Sequence, residues 1–155
     1  MQAMTTTLDN ESVPKNLLGR DILFFDGECI LCHNAVKFLL DADYDKHFLL
    51  ATQQGQTGKL ILERHGVRVA DLSTVYLVTN CGTDKEKLLV RSSASLYALS
   101  QFPKYAWLSR ILSIFPRFLL DIGYKIIATN RYKMFGKTND ACAMLPPEDR
   151  ARILP

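Results

Sequence analysis

Short apolar runs closed by turn-forming residues alternate with stretches of helical period along the first two thirds of the chain. Residues 21–26 (DILFFD) end in Asp-Gly and predict a buried strand. Beyond Cys29 the period lengthens: Leu31, Ala35, Phe38 and Leu39 recur at helical spacing, with Asn34, Lys37 and Asp41 off that face. Residues 48–51 (FLLA) predict a second strand, and residues 58–65 a helix stopped by Gly66. Residues 74–79 (TVYLVT) and 87–91 (KLLVR) read as a strand pair joined through a hairpin loop, and Ser92 or Ser93 as the cap of a helix that runs to Phe102 before Pro103. A strand–helix–strand start implies a parallel βαβ unit, because a helix can return the chain across a sheet. The hairpin and last helix complete an α/β domain over residues 20–103.

Residues 1–19 are polar and aperiodic, and predict a mobile tail. Residues 104–155 predict a helical extension. Leu108, Leu112, Phe115, Leu119, Ile122 and Ile126 form an apolar stripe, expected to pack on the domain. Arg117, Asp121 and Lys125 share another face and can pair, while Pro116 kinks one helix or starts a second. A membrane-surface or partner-docking face is the alternative reading of the stripe. Residues 107–128 are too interrupted by charge to span a bilayer, and no secretory signal is visible, so a cytoplasmic protein without membrane association is expected.

The chain has 155 residues, 48% hydrophobic and 23% charged, which fits one globular domain. A net charge of +3 is too mild to indicate nucleic-acid binding. Charge is nonetheless uneven. Residues 104–155 carry nine basic and four acidic side chains, against ten and twelve before them. Four cysteines are too few for a disulfide scaffold, and they cluster as a site would: Cys29 and Cys32 together, Cys81 and Cys142 apart.

Asp26-Gly27-Glu28-Cys29-Ile30-Leu31-Cys32-His33 stands where the first strand gives way to a helix. Two thiols so spaced in the first helical turn can meet, and the positive helix end stabilises a thiolate, the attacking species in disulfide exchange. This spacing predicts Cys29 as the more exposed, lower-pKa nucleophile and Cys32 as the resolving thiol. Gly27 would permit the tight turn. Asp26 could relay a proton to or from Cys32, or cap the turn. Arg91 could lend positive charge or remain a solvated surface residue. Ser92 reads as a cap rather than a catalytic hydroxyl. Rival readings are a c-type haem attachment (Cys29–His33 also spells Cys-x-x-Cys-His), a zinc site completed singly by Cys81, Cys142, His33, His47 or His65, and two passive buried cysteines.

Asp-Gly-x-Cys-x-x-Cys after an apolar strand resembles the DCC family of predicted thiol-disulfide oxidoreductases. Further similarities are Leu72-Ser73-Thr74-Val75, Arg91-Ser92-Ser93-Ala94, Tyr124 with Ile127-Ala128, Arg131-Tyr132 with Phe135-Gly136, and the late Cys142. The resemblance implies a thioredoxin-like fold and a redox role. It also marks Arg131, Tyr132 and Cys142 as supporting residues. From the residues alone, Arg131 and Tyr132 read as packing the C-terminal helices, and Cys142 as passive or a third redox thiol. The thioredoxin-like cis-proline has no counterpart in Ala70-Asp71-Leu72-Ser73-Thr74. The reaction so implied is dithiol–disulfide exchange with a disulfide-bearing protein or small thiol. It needs no metal or organic cofactor but does need an electron-donating reductant. The alternative is a non-catalytic binding module with a zinc-stabilised or redox-sensitive cysteine switch.

Overall fold

The computed structural model describes residues 13–43, 45–68, 74–137 and 145–155. Its elements are β1 (Asp21–Phe25), α1 (Ile30–Ala42), β2 (Phe48–Thr52), α2 (Gln56–Arg64), β3 (Tyr76–Thr79), β4 (Lys87–Val90), α3 (Arg91–Ser100), α4 (Ala106–Leu112), α5 (Arg117–Phe135), α6 (Pro147–Arg150) and β5 (Ile153–Leu154). The strand order is β4-β3-β1-β2-β5. The pair β1–β2 is parallel, as the βαβ reading requires, and β1–β3 and β3–β4 are antiparallel. This mixed α/β architecture is consistent with the thioredoxin-like fold and a helical C-terminal part.

Strand β1 is buried on both faces, which explains why it reads as a continuous apolar run rather than an alternating one. Leu23 and Phe25 point into one core with Val36, Leu39 and Leu40 of α1, Phe48 and Leu50 of β2, and Ala94 and Ala98 of α3. Ile22 and Phe24 point into the other core, with Ala51, Ile61 and Leu62. Val13 and Leu17, within the stretch expected to be a mobile tail, are buried in this second core.

Several local expectations are corrected. The buried positions of α1 are His33, Val36, Leu39 and Leu40; the Leu31, Ala35, Phe38 line instead borders a cavity. Ser92 and Ser93 lie inside α3 and do not cap it. The cap role falls to Asp121 of α5, whose carboxylate accepts from both the backbone N–H and the hydroxyl of Ser92, placing negative charge at the positive helix end. Asp121 and Arg117 thus each bond a serine at the start of α3, Ser92 and Ser93, in place of the expected pairing. Pro116 starts a second helix rather than kinking one.

The largest correction concerns the C-terminal stripe. Leu108 and Leu112 are half-buried, but Phe115, Leu119, Ile122 and Ile126 are exposed, not packed on the domain. At 100° per residue, Asp121, Tyr124, Ala128 and Arg131 form a second line along α5, away from that stripe. This line faces the domain. Its anchors are polar: Asp121 to Ser92, the Tyr124 hydroxyl oxygen accepting from the Val75 N–H at 2.8 Å, and Arg131 to Asp26 at 2.7 Å. Helix α5 is therefore seated by polar bonds and leaves its greasier face in water.

Candidate redox site

The parallel register pairs Phe25 with Thr52, so the chain ends of β1 and β2 emerge side by side. Asp26 leaves one and Gln54 follows the other. The Gln54 amide donates to Asp26 Oδ1 at 2.8 Å, and its carbonyl oxygen accepts from the Gly27 N–H at 3.1 Å. Space at Gly27 is tight: an added Cβ would stand 3.2 Å from the Thr52 side chain, which would have to shift.

Cys29 occupies the N-cap of α1, one position before the helix. Its Sγ accepts the Cys32 backbone N–H at 3.3 Å, so the sulfur takes the place a serine or aspartate oxygen commonly fills. The Cys29 thiol is pushed down to about 6. A hydrogen bond from the Cys32 thiol is the main cause, helped by the Cys32 N–H and the Arg131 charge, against burial and Asp26. Cys32 is pushed up, first by that same bond to Cys29, then by burial and the Cys29 charge. The order of acidity follows the sequence expectation. The order of exposure reverses it: Cys29 is 0% exposed, and Cys32 is half-buried. In the chain after α5, Lys137 makes an antiparallel backbone bridge with Cys29.

Arg131 joins the parts. Its Nη2 donates to Asp26 Oδ2, and its Nη1 lies 3.7 Å from Cys32 Sγ. Asp26 is 1% exposed, yet it accepts from Arg131, the Tyr132 hydroxyl, Gln54 and the Glu28 N–H. Burial pushes its carboxyl up; those four partners outweigh burial and hold it below the usual carboxylate value. A carboxylate so held is the counter-ion of Arg131 and the acceptor that closes the turn at Glu28. The Tyr132 hydroxyl is pushed up to about 12, by burial first and then by Asp26.

Beside Cys32 lies an apolar cavity of about 400 Å³ between α1, α3 and α5. Leu31, Phe38, Val75, Leu99 and Ile127 are among its walls, with Arg131, Tyr124 and Ser95 as its polar contributors. Where thioredoxin-like proteins have a cis-proline, the backbone groups that precede β3 are used internally. The Val75 N–H goes to Tyr124, and the Thr74 carbonyl accepts from the buried Gln53 amide.

The structure thus brings Asp26, Gly27, Cys29, Cys32, Arg131 and Tyr132 together. Arg91 is exposed at the start of α3, and Ser92 is engaged with Asp121. Cys142 lies outside the described residues. Cys81 is buried in the β3–β4 hairpin, its thiol pushed up to about 11 by burial first, which makes it inert. His33 Nε2 is bonded to the Gly27 carbonyl oxygen at 3.0 Å, which ties the helix start to the turn. Among the described residues, no three His, Cys, Asp or Glu side chains are grouped to hold a metal ion. Gln54 escaped the sequence reading. Parallel pairing of β1 with β2 was the signal for it, since that pairing sets the residues after both strands against each other.

Residues 23–137 match the model of the DCC1-like thiol-disulfide oxidoreductase family. Over 129 residues the chain is 36% identical to a chloroplastic DCC family protein of Arabidopsis thaliana, an alignment covering 81% of this chain and 70% of the relative. Over 151 residues it is 28% identical to an uncharacterised protein of Bacillus subtilis, YuxK, covering 96% and 100% respectively. No solved structure matches. The plant relative's location leaves a cytoplasmic site for this chain an expectation. Among the described residues no helix is long and apolar enough to cross a membrane.

Proposed function

The chain belongs to the DCC1-like thiol-disulfide oxidoreductase family, and on that premise we propose that it exchanges disulfides through Cys29 and Cys32. The Cys29 thiolate attacks one sulfur of a substrate disulfide. A Cys29–substrate bond forms, the substrate S–S bond breaks, and one substrate thiolate leaves. Cys32 then loses its proton and attacks the Cys29 sulfur, releasing the second substrate thiolate and closing the Cys29–Cys32 disulfide. Two electrons pass to the substrate, and the Cys32 proton ends on a released thiolate. A dithiol reductant resets the pair. Arg131 is assigned a positioning role: its charge favours both thiolates, while Asp26 holds the guanidinium in place. The apolar cavity beside Cys32 suits a substrate with an apolar group next to its disulfide.

One observation carries this reading: the Cys29 sulfur caps α1 and accepts the Cys32 N–H, an arrangement that favours its thiolate at neutral pH. The test is turnover of a small aromatic disulfide by the full chain, with a dithiol reductant. Cys29→Ser is expected to abolish turnover, and Cys32→Ser to stall as a mixed disulfide on Cys29, visible by mass. Retained turnover in Cys29→Ser would sink the assignment. The burial of Cys29 favours a second reading, a redox-sensitive switch without turnover. Reversible formation of the Cys29–Cys32 disulfide with no catalytic turnover would select it.

A further inference from the structure

We propose that the outer face of α4 and α5 docks onto an anionic lipid surface. Helix α4 and the turn after it expose Trp107, Ile111 and Ile114; α5 exposes Phe118, Ile122 and Ile126. Ile114 is 81% and Phe118 68% exposed, far beyond the scattered single apolar residues that any surface carries. Ile111, Ile114 and Phe118 flank the short turn between the helices, so the two stripes meet there. Packing cannot be the reason for these residues, because α5 is seated on the domain through Asp121, Tyr124 and Arg131 on another side.

Charge decides the occupant. Lys104, Arg110, Lys125 and Lys133 are all exposed along this segment, while Arg117 donates to the Ser93 hydroxyl at 2.7 Å. Its single carboxylate before residue 137, Asp121, is committed to Ser92. A second copy of the chain would bring like charges together across a shared face, which opposes self-association. An anionic bilayer answers both features: the apolar side chains enter the acyl boundary while the cations meet the headgroups. Neither helix spans the membrane; each lies along its surface. This proposal does not depend on the redox reading.

Trp107 is the chain's only tryptophan and stands within the stripe, so its emission reports docking directly. The full chain is titrated with vesicles of phosphatidylcholine containing phosphatidylglycerol, and with phosphatidylcholine alone. Expected is a blue shift with the anionic vesicles, with partitioning at least about tenfold above that for neutral vesicles and weakening by a similar factor in high salt. The double variant Phe118→Glu, Ile122→Glu changes exposed positions only and is expected to keep its melting temperature while losing the shift. Lys125→Glu with Arg110→Glu is expected to reduce partitioning to anionic vesicles and leave the small neutral-vesicle signal unchanged. No shift with anionic vesicles at low salt would overturn the proposal, as would equal binding to both vesicle types. So would a dimer in sedimentation that the Phe118→Glu, Ile122→Glu variant dissociates.

Discussion

Near its carboxyl end α5 buries an arginine; near its amino end it leaves Phe118, Leu119 and Ile122 in water. The contrast shows what decides which side of a helix turns inward. Arg131 is buried because Asp26 waits for it inside the fold with its carboxylate otherwise bonded to Tyr132, Gln54 and the Glu28 N–H. A buried ion pair contributes little stability by itself, but once one partner is fixed the loss of the other is costly. At the amino end the inward contact is again polar, Asp121 against the start of α3. With both ends pinned in this way, the helix cannot rotate to hide its apolar stripe without stranding Asp26 and breaking the α3 cap.

The sharpest test of this contrast is Arg131→Met. It leaves the buried Asp26 carboxylate without its counter-charge, so we expect a loss of about 3–5 kcal/mol in denaturant unfolding. The same variant is expected to raise the alkylation midpoint of Cys29 above its value of about 6, since one of the groups that lowers it is gone. An unchanged midpoint would remove Arg131 from the electrostatics of the site. Tyr124→Phe removes the acceptor of the Val75 N–H midway along the helix and is expected to cost about 1–2 kcal/mol. Smallest of the three, Leu119→Ala is expected to fall within about 0.5 kcal/mol of the parent, because the side chain is already exposed. A cost of several kcal/mol there would mean the stripe is buried in solution and would break the contrast.

Acidity offers a further check. The folded Cys29 thiol ionises near 6, below its ordinary value near 9.0. A depressed acidic group stabilises the fold fully above its unfolded value, and the contribution is lost as pH falls through the folded one. The stability difference between the reduced parent and Cys29→Ser should therefore grow from about pH 6 to about pH 9. A flat difference over that range would contradict the thiolate cap.

The strands β1, β2 and β3 were legible in the sequence because each is a short apolar run that the fold buries, and the helices between them because apolar residues recur at helical spacing. The Cys29–Cys32 pair was legible because its spacing and its position after a strand are both local. What escaped depends on distant partners. Nothing near Arg131 in the sequence indicates that its guanidinium meets Asp26, 105 residues away. Its residue-level reading was packing, and only the family resemblance marked it. The burial of Cys29 likewise lies beyond a local reading, since its backbone bridges to Lys137, far along the chain. The stripe read in the sequence shares only Ile122 and Ile126 with the exposed face formed with Trp107, Ile111, Ile114 and Phe118; its Leu108 and Leu112 are half-buried, and its Phe115 and Leu119, read as core, are exposed. Amphipathic periodicity shows that a helix has two faces; it does not show which of them the fold will bury.

Strand β5 has a consequence for how the protein is made. Its partner is the outer edge of β2, where Leu50 pairs with Ile153 and Ala51 with Leu154. Roughly a hundred residues separate the two strands, one of the widest spans that the sheet must close. During synthesis β2 can pair with β1 early, but its far edge stays open until residues 153–154 have left the ribosome. An open apolar edge is a template for pairing with other chains, and sheet contacts of long sequence separation form slowly. Nascent or truncated chains lacking residues 153–154 should therefore depend most on chaperones, although the missing strand is only two residues long.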